Sequence, residues 1–96
     1  MRDLPDDDDW IADRRRVIGE RFRAERLRQN LTQDAVYLAS GVSRYTLQRV
    51  EAGAEVRLST LIRIAWVLEV PLADLLSEGP PPATGDVTGD GPRGRP

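Results

Sequence analysis

Residues 31–53 have the sequence LTQDAVYLASGVSRYTLQRVEAG, and this stretch decides the fold. Thr32 and Ser43 are residue types that cap helix N-termini, because their hydroxyl oxygens accept hydrogen bonds from backbone N–H groups of the first turn. Each of them precedes a run of residues that favours a helix. The pattern therefore predicts two short helices, over residues 33–40 and 44–52.

The turn between these two segments contains Gly41, and Gly53 follows the second segment. Glycine adopts positive φ at little cost, so Gly41 allows the second helix to cross the first steeply. Two short helices joined by such a turn indicate a helix-turn-helix. The side chains expected to face outward on the second helix can all donate or accept hydrogen bonds. They belong to Arg44, Tyr45, Thr46, Gln48 and Arg49. Such a face on a short helix suits the major groove of DNA.

Three further helical segments flank this motif, and no segment alternates as a strand does. They are predicted over residues 12–29 and 58–68, and in a short helix that starts at Pro71. The predicted core consists of apolar residues at helical spacing: Val17, Ile18, Phe22, Val36, Val42, Leu47, Val50, Leu58, Leu61, Ile62, Ala65 and Leu68. The sequence therefore predicts an all-α domain of five helices.

The net charge of −2 conceals an uneven distribution. Residues 1–13 carry a net charge of −5, whereas residues 14–78 carry +3. The predicted folded part is therefore basic, as nucleic-acid binding requires. All fourteen basic residues are arginine, which binds phosphates and guanine edges in a bidentate manner. A GC-rich coding sequence explains that choice equally well.

The two ends of the chain differ in composition from the predicted domain, which spans residues 12–78. Residues 1–11 form an acidic leader that is expected to be partly disordered. Its carboxylates either favour the positive end of the first helix dipole or form an arm that competes with DNA. Residues 79–96 are rich in proline and glycine, which predicts a disordered tail.

The sequence lacks residues that several classes of protein function require. The chain has no cysteine and no histidine, which excludes disulfides, thiolate metal sites and histidine-based catalysis. No nucleophile paired with a base is recognisable, so we expect no enzymatic activity, metal or cofactor. We expect no signal peptide, and the sequence has no apolar run of the ~20 residues that cross a membrane. A cytoplasmic protein, nucleoid-associated when bound to DNA, is expected.

An ordered set of short motifs runs through residues 17–77. The motifs are Arg23-Ala24-Glu25-Arg26, Leu31-Thr32-Gln33, Gly41-Val42-Ser43, Leu47-x-x-Val50-Glu51-x-Gly53 and Leu61-x-x-Ile64-Ala65-x-x-Leu68-x-Val70-Pro71. No single motif is specific, but the set resembles the Cro/C1 (xenobiotic-response-element type) family of helix-turn-helix regulators. The resemblance implies a lambda-repressor-like domain of five helices.

The resemblance also implies roles for individual residues. Those implied to read base edges are Arg44, Tyr45 and Arg49, with Thr46 and Gln48 contacting bases or backbone. Those implied to contact phosphates are Thr32, Gln33, Ser43 and Arg57, of which Gln33 would also brace the recognition helix. Arg26 and Glu51 match a partly buried salt bridge that ties the first helix to the third. We therefore expect a structural role for that pair.

Three features depart from the pattern of the family. Tyr37 occupies a position that is usually a small alanine, so we expect its ring to lie across the turn. The loop after Gly53 offers only Arg57 as a basic residue, which predicts modest phosphate affinity. Trp66 is either partly buried against the fifth helix or Trp10, or an exposed anchor for a dimer or another protein.

The resemblance implies a transcriptional regulator, expected to be a repressor, that binds double-stranded operator DNA. A two-fold dimer would place two recognition helices about 34 Å apart and select a palindromic site. Such a homodimer would use the fourth and fifth helices or the chain ends, and a monomeric module is the alternative. The second hypothesis is a protein-interaction module of the same fold, such as an antitoxin or a partner-regulated adaptor. No membrane partner is expected.

Overall fold

The computed structural model describes residues 1–77, which form five α-helices. The helices are α1 (Asp9–Arg28), α2 (Gln33–Ser40), α3 (Arg44–Glu51), α4 (Leu58–Leu68) and α5 (Leu72–Leu76). The predicted all-α architecture of five helices is confirmed, and the described residues contain no strand. None of these five helices is both long enough and apolar enough to cross a bilayer. The tail predicted over residues 79–96 lies outside the described residues.

The first helix begins at Asp9, so α1 extends into the segment that the sequence assigns to the leader. The Asp7 carboxylate accepts a hydrogen bond from the backbone N–H of Asp9 at 3.0 Å. The positive end of the helix dipole stabilises carboxylates at this position. The end of the acidic run therefore forms the start of α1, and Trp10 and Ile11 lie within the helix.

All five helices contribute side chains to one core. Its members are Phe22, Val36, Leu47, Val50, Ile64, Ala65, Leu68 and Leu75. Burial of an aliphatic or aromatic side chain of this kind contributes about 1.5–3 kcal/mol relative to exposure. Most of these residues belong to the predicted core, and the helix-turn-helix contributes three of them. The core therefore fixes α2 and α3 against the remaining helices.

The sequence prediction is wrong for part of α4. Leu58 and Ile62, which are predicted to be buried, are exposed, whereas Ile64 is fully buried. The cause is that α4 is apolar on more than one side, so helical spacing fits two overlapping faces. The face that turns inward carries Ile64, Ala65 and Leu68. The second apolar face remains on the surface.

Two glycines allow α1 to approach the end of α3 closely. A Cβ on Gly19 would lie 2.5 Å from the carbonyl oxygen of Val50, so no larger residue fits there without a shift. Gly53 has a φ of +81°, and a Cβ there would lie 2.7 Å from the Cα of Arg16. Arg15 Nε donates a hydrogen bond to the Gly53 carbonyl oxygen at 3.1 Å. These contacts fix the C-terminal end of α3 against α1.

Candidate nucleic-acid interface

Side-chain caps set the starts of α2 and α3. Thr32 Oγ1 accepts a hydrogen bond from the Ala35 N–H at 3.0 Å, and Ser43 Oγ accepts one from the Thr46 N–H at 3.0 Å. Between the helices, Gly41 ends α2 in the left-handed conformation with a φ of 77°. That conformation is common after the last turn of a helix and redirects the chain into α3. The predicted turn chemistry is therefore present.

A buried ion pair joins α1 to the last turn of α3. Arg26 Nε donates to Glu51 Oε2 at 2.7 Å, and Arg26 Nη2 donates to Glu51 Oε1 at 3.1 Å. The two side chains are only 8% and 6% exposed. Arg26 Nη1 also donates to the Leu31 carbonyl oxygen at 2.9 Å. The salt bridge that the resemblance implies is thus bidentate and has further hydrogen-bonding support.

Two glutamines extend this network from the ion pair to the protein surface. Gln33 Nε2 donates to Glu51 Oε1 at 3.2 Å, and Gln48 Nε2 donates to Gln33 Oε1 at 3.5 Å. Gln33 begins α2, whereas Gln48 and Glu51 lie on α3, so these contacts tie the two helices together. Gln33 therefore contacts the recognition helix directly. Its contact with a phosphate stays a prediction.

The exposed face of α3 presents two rows of side chains at i, i+4 spacing. Arg44 and Gln48 form the row beside α2, and Tyr45 and Arg49 form the second row. The Arg49 guanidinium lies 5.7 Å from the centroid of the Tyr45 ring, and its Nη2 donates to the Glu55 carbonyl oxygen at 2.8 Å. Arg49 is therefore held between α3 and the loop that leads to α4.

Arg44 is held against α2 by two side chains that the sequence does not assign to the interface. Its Nη2 donates to Asp34 Oδ1 at 3.0 Å, and its guanidinium lies 5.6 Å from the centroid of the Tyr37 ring. Contact with Tyr37, together with the charge of Asp34, raises the pKa of Arg44 above its ordinary value. In the sequence, this cluster is indicated by the size of Tyr37, which occupies a position that is usually a small alanine.

A shallow groove separates α3 from the start of α4. It is lined by Thr46, Arg49, Glu55, Val56, Arg57 and Thr60. The hydroxyl of Thr46 accepts a hydrogen bond from Ser43 Oγ at 2.9 Å, so the structure already uses part of its bonding capacity. Arg57 is exposed and occupies the N-cap position of α4. The groove thus brings Thr46, Arg49 and Arg57 together.

The residues predicted to contact DNA surround the exposed face of α3. They come from the start of α2, from α3 and from the loop before α4, and their individual DNA contacts stay predictions.

Trp66 lies elsewhere, on α4, and is 83% exposed. Of the two interpretations of Trp66, partial burial against α5 or Trp10 is therefore wrong, because the side chain lies in solvent. Its role as an anchor stays a prediction.

Comparison with models of known protein families independently identifies a helix-turn-helix in this chain. A family model described as helix-turn-helix matches residues 22–75, which is more than half of the chain. The chain belongs to the Cro/C1-type helix-turn-helix family. Membership of this helix-turn-helix family supports DNA-binding transcriptional regulation.

A solved structure extends the comparison to three dimensions. The helix-turn-helix protein is similar to the restriction-modification controller protein C.AhdI from Aeromonas hydrophila, with 27% sequence identity and a TM-score of 0.61. The similarity covers 64% of this chain and 94% of that chain. A search of curated proteins found no match. The similarity therefore spans nearly the whole of C.AhdI.

Replacement of Glu51 by alanine is expected to destabilise the helix-turn-helix domain by about 3–5 kcal/mol, because Arg26 would keep a buried charge without its partner. Urea unfolding followed by circular dichroism measures the change. The double replacement Arg26→Met/Glu51→Leu removes both charges and should recover most of the lost stability.

The exposed pair of Arg16 and Glu20 provides the control for this experiment. Arg16 Nη1 lies 3.3 Å from Glu20 Oε2, but both side chains are mostly in solvent. Arg16→Ala should therefore cost no more than about 1 kcal/mol. An equally small loss in Glu51→Ala would show that the buried pair does not hold the domain together.

Proposed function

We propose that this protein is a repressor that reads double-stranded operator DNA with α3 in the major groove. The eight residues of α3 extend over about 12 Å at ~1.5 Å each, and the major groove is about 12 Å wide. The observation that carries the proposal is the polar outer face of α3, which a buried ion pair and a glutamine network hold in place.

Arg44 and Arg49 are the residues best suited to reading bases. A guanidinium donates two parallel hydrogen bonds to guanine O6 and N7, and each such contact discriminates by about 1–3 kcal/mol. Gln48 shares a row with Arg44, and an amide pairs in the same bidentate way with adenine. Tyr45 places a ring and a hydroxyl group next to Arg49. Thr46 lies at the edge of the same face.

Phosphate contacts are proposed at the starts of the helices that flank this face. Backbone N–H groups and the positive end of the dipole bind phosphates at helix N-termini. Thr32 and Gln33 lie at the start of α2, Ser43 at the start of α3, and Arg57 at the start of α4. The Gln33 amide has two N–H donors, so one residue can brace Glu51 and bind a phosphate.

Binding of this kind regulates transcription by covering a promoter. Steric exclusion of the polymerase needs only a stable complex at the operator, and the described residues consist mainly of the DNA-binding unit. The similarity to a restriction-modification controller protein supports a regulatory role. We therefore favour the repressor over the interaction module of the same fold.

A second copy of the chain completes the proposed operator complex. A single short helix reads few base pairs, whereas a two-fold pair reads two half-sites about one DNA turn apart. Leu58, Ile62 and Trp66 follow one another at i, i+4, i+8 on α4, and all three are exposed. We name this row the α4 stripe and assign it to the interface between copies.

Two features of the α4 stripe suit an interface between copies. A row centred on Ile62 matches itself across a two-fold axis through its centre, as an isologous interface requires. Burial of both Trp66 side chains would supply about 300–500 Å² of the roughly 1,600 Å² in a standard interface. In contrast, Leu75 of α5 is already buried in the core, and Leu72 packs against it.

The test of base reading compares Arg49→Ala with Arg57→Ala on DNA selected from a random library by the native protein. Arg49→Ala should reduce discrimination between the selected and a scrambled sequence by about 5- to 150-fold. Arg57→Ala should weaken binding to both sequences alike and lower the salt dependence by about one charge. Fluorescence anisotropy at several salt concentrations measures both effects. The proposal fails if no sequence is enriched, or if both variants act equally on every sequence.

The test of the α4 stripe uses the lack of cysteine in the native chain. Ile62→Cys should form a disulfide-linked dimer under mild oxidation, because the two copies of this residue meet near the two-fold axis. Leu27→Cys is the matched control, since Leu27 on α1 is 46% exposed and Ile62 is 51% exposed. Light scattering should show a dimer for the native protein and a monomer for Trp66→Glu. If the native protein is a monomer and the two cysteine variants cross-link equally slowly, the α4 stripe is not an interface between copies of the chain.

A further inference from the structure

The contacts of Arg44 with α2 contribute little to the stability of the fold. Arg44 and Asp34 have side chains that are 57% and 58% exposed, and ion pairs this exposed are weak. Their effect is on orientation instead. The carboxylate fixes one edge of the guanidinium, which also lies over the Tyr37 ring. Together the two contacts restrict a side chain that otherwise has many rotamers.

We propose that Asp34 and Tyr37 are positioning residues that set DNA specificity by holding Arg44. This inference rests on the proposed function, because it requires α3 to read bases. Neither residue needs to touch a base. Asp34 and Tyr37 act through the position and the charge of Arg44.

Arg44 can bind a base while Asp34 and Tyr37 hold its guanidinium in position. A guanidinium has five N–H donors, of which the Asp34 contact uses one at Nη2. Guanine O6 and N7 together accept two hydrogen bonds, so enough N–H donors remain for this pairing. The Tyr37 ring, 5.6 Å from Arg44 Cζ, attracts the positive charge of the guanidinium as a whole. A base can therefore be bound without breaking either contact with α2.

Holding Arg44 favours the specific complex over the non-specific one in two ways. An arginine that is already oriented loses less rotamer freedom when it binds its base, so the specific complex gains affinity. Non-specific binding depends on attraction between cations and phosphates. The Asp34 carboxylate offsets the charge of Arg44 and so weakens that attraction. Both effects increase the ratio of specific to non-specific affinity.

The experiment measures this ratio by fluorescence anisotropy on the selected and a scrambled sequence, for the native protein, Asp34→Asn and Tyr37→Leu. We expect the ratio to fall by about three- to thirty-fold in both variants, because Arg44 becomes mobile. Non-specific affinity should rise in Asp34→Asn, which loses a negative charge, and stay unchanged in Tyr37→Leu. In an Arg44→Ala background neither replacement should alter the ratio further, since the residue that they position is gone.

Glu20→Gln is the matched control, because Glu20 pairs with Arg16 at 3.3 Å and both side chains are similarly exposed. It removes one carboxylate charge and should leave the ratio unchanged. NMR relaxation of the Arg44 Nε–H group gives a readout without DNA, in which Asp34→Asn should make an ordered group mobile.

Three results would overturn the proposal, and each points to a different failure. If Arg44→Ala lowers the ratio but Asp34→Asn and Tyr37→Leu do not, the two residues do not position Arg44, while the proposed function stands. If Asp34→Asn strengthens binding to every sequence equally, as Glu20→Gln would, its effect is one of charge alone. If the native protein enriches no sequence, the proposed function fails and this inference fails with it.

Discussion

The ion pair between Arg26 and Glu51 is the constraint on which the rest of the interface depends. A buried charge without a partner is strongly destabilising, so α1 and the end of α3 cannot separate without a large cost in free energy. The pair also fixes Gln33, through which α2 is tied to Gln48 on α3. A network that begins in the interior therefore determines where the outer face of the recognition helix lies.

The same arrangement explains how a small domain can present flexible arginines in defined positions. Arg44 is held by side chains of α2, and Arg49 is held by the Tyr45 ring and a backbone carbonyl in the next loop. Each guanidinium is thus fixed by a neighbouring element that the core and the ion pair already fix. Orientation of this kind reduces the entropy that a specific contact loses.

Local sequence signals predicted the five helices, the caps at Thr32 and Ser43 and the turn at Gly41, because each depends on residues close in the chain. The inward face of α4 was not predictable in the same way, since its apolar residues fit two faces and packing selects one. The contact of Asp34 with Arg44 was also missed. It joins two helices across the turn, so no spacing within one helix could reveal it.

The central claim is that α3 reads bases in the major groove, and methylation interference on the selected DNA tests it most directly. Dimethyl sulfate modifies guanine N7, which faces the major groove, and adenine N3, which faces the minor groove. The account predicts interference at guanine N7 within each half-site, with at least one of these positions becoming insensitive in Arg44→Ala. Interference confined to adenine N3 would place the base contacts in the minor groove and contradict the account, and none at any guanine would show that Arg44 and Arg49 do not read guanine.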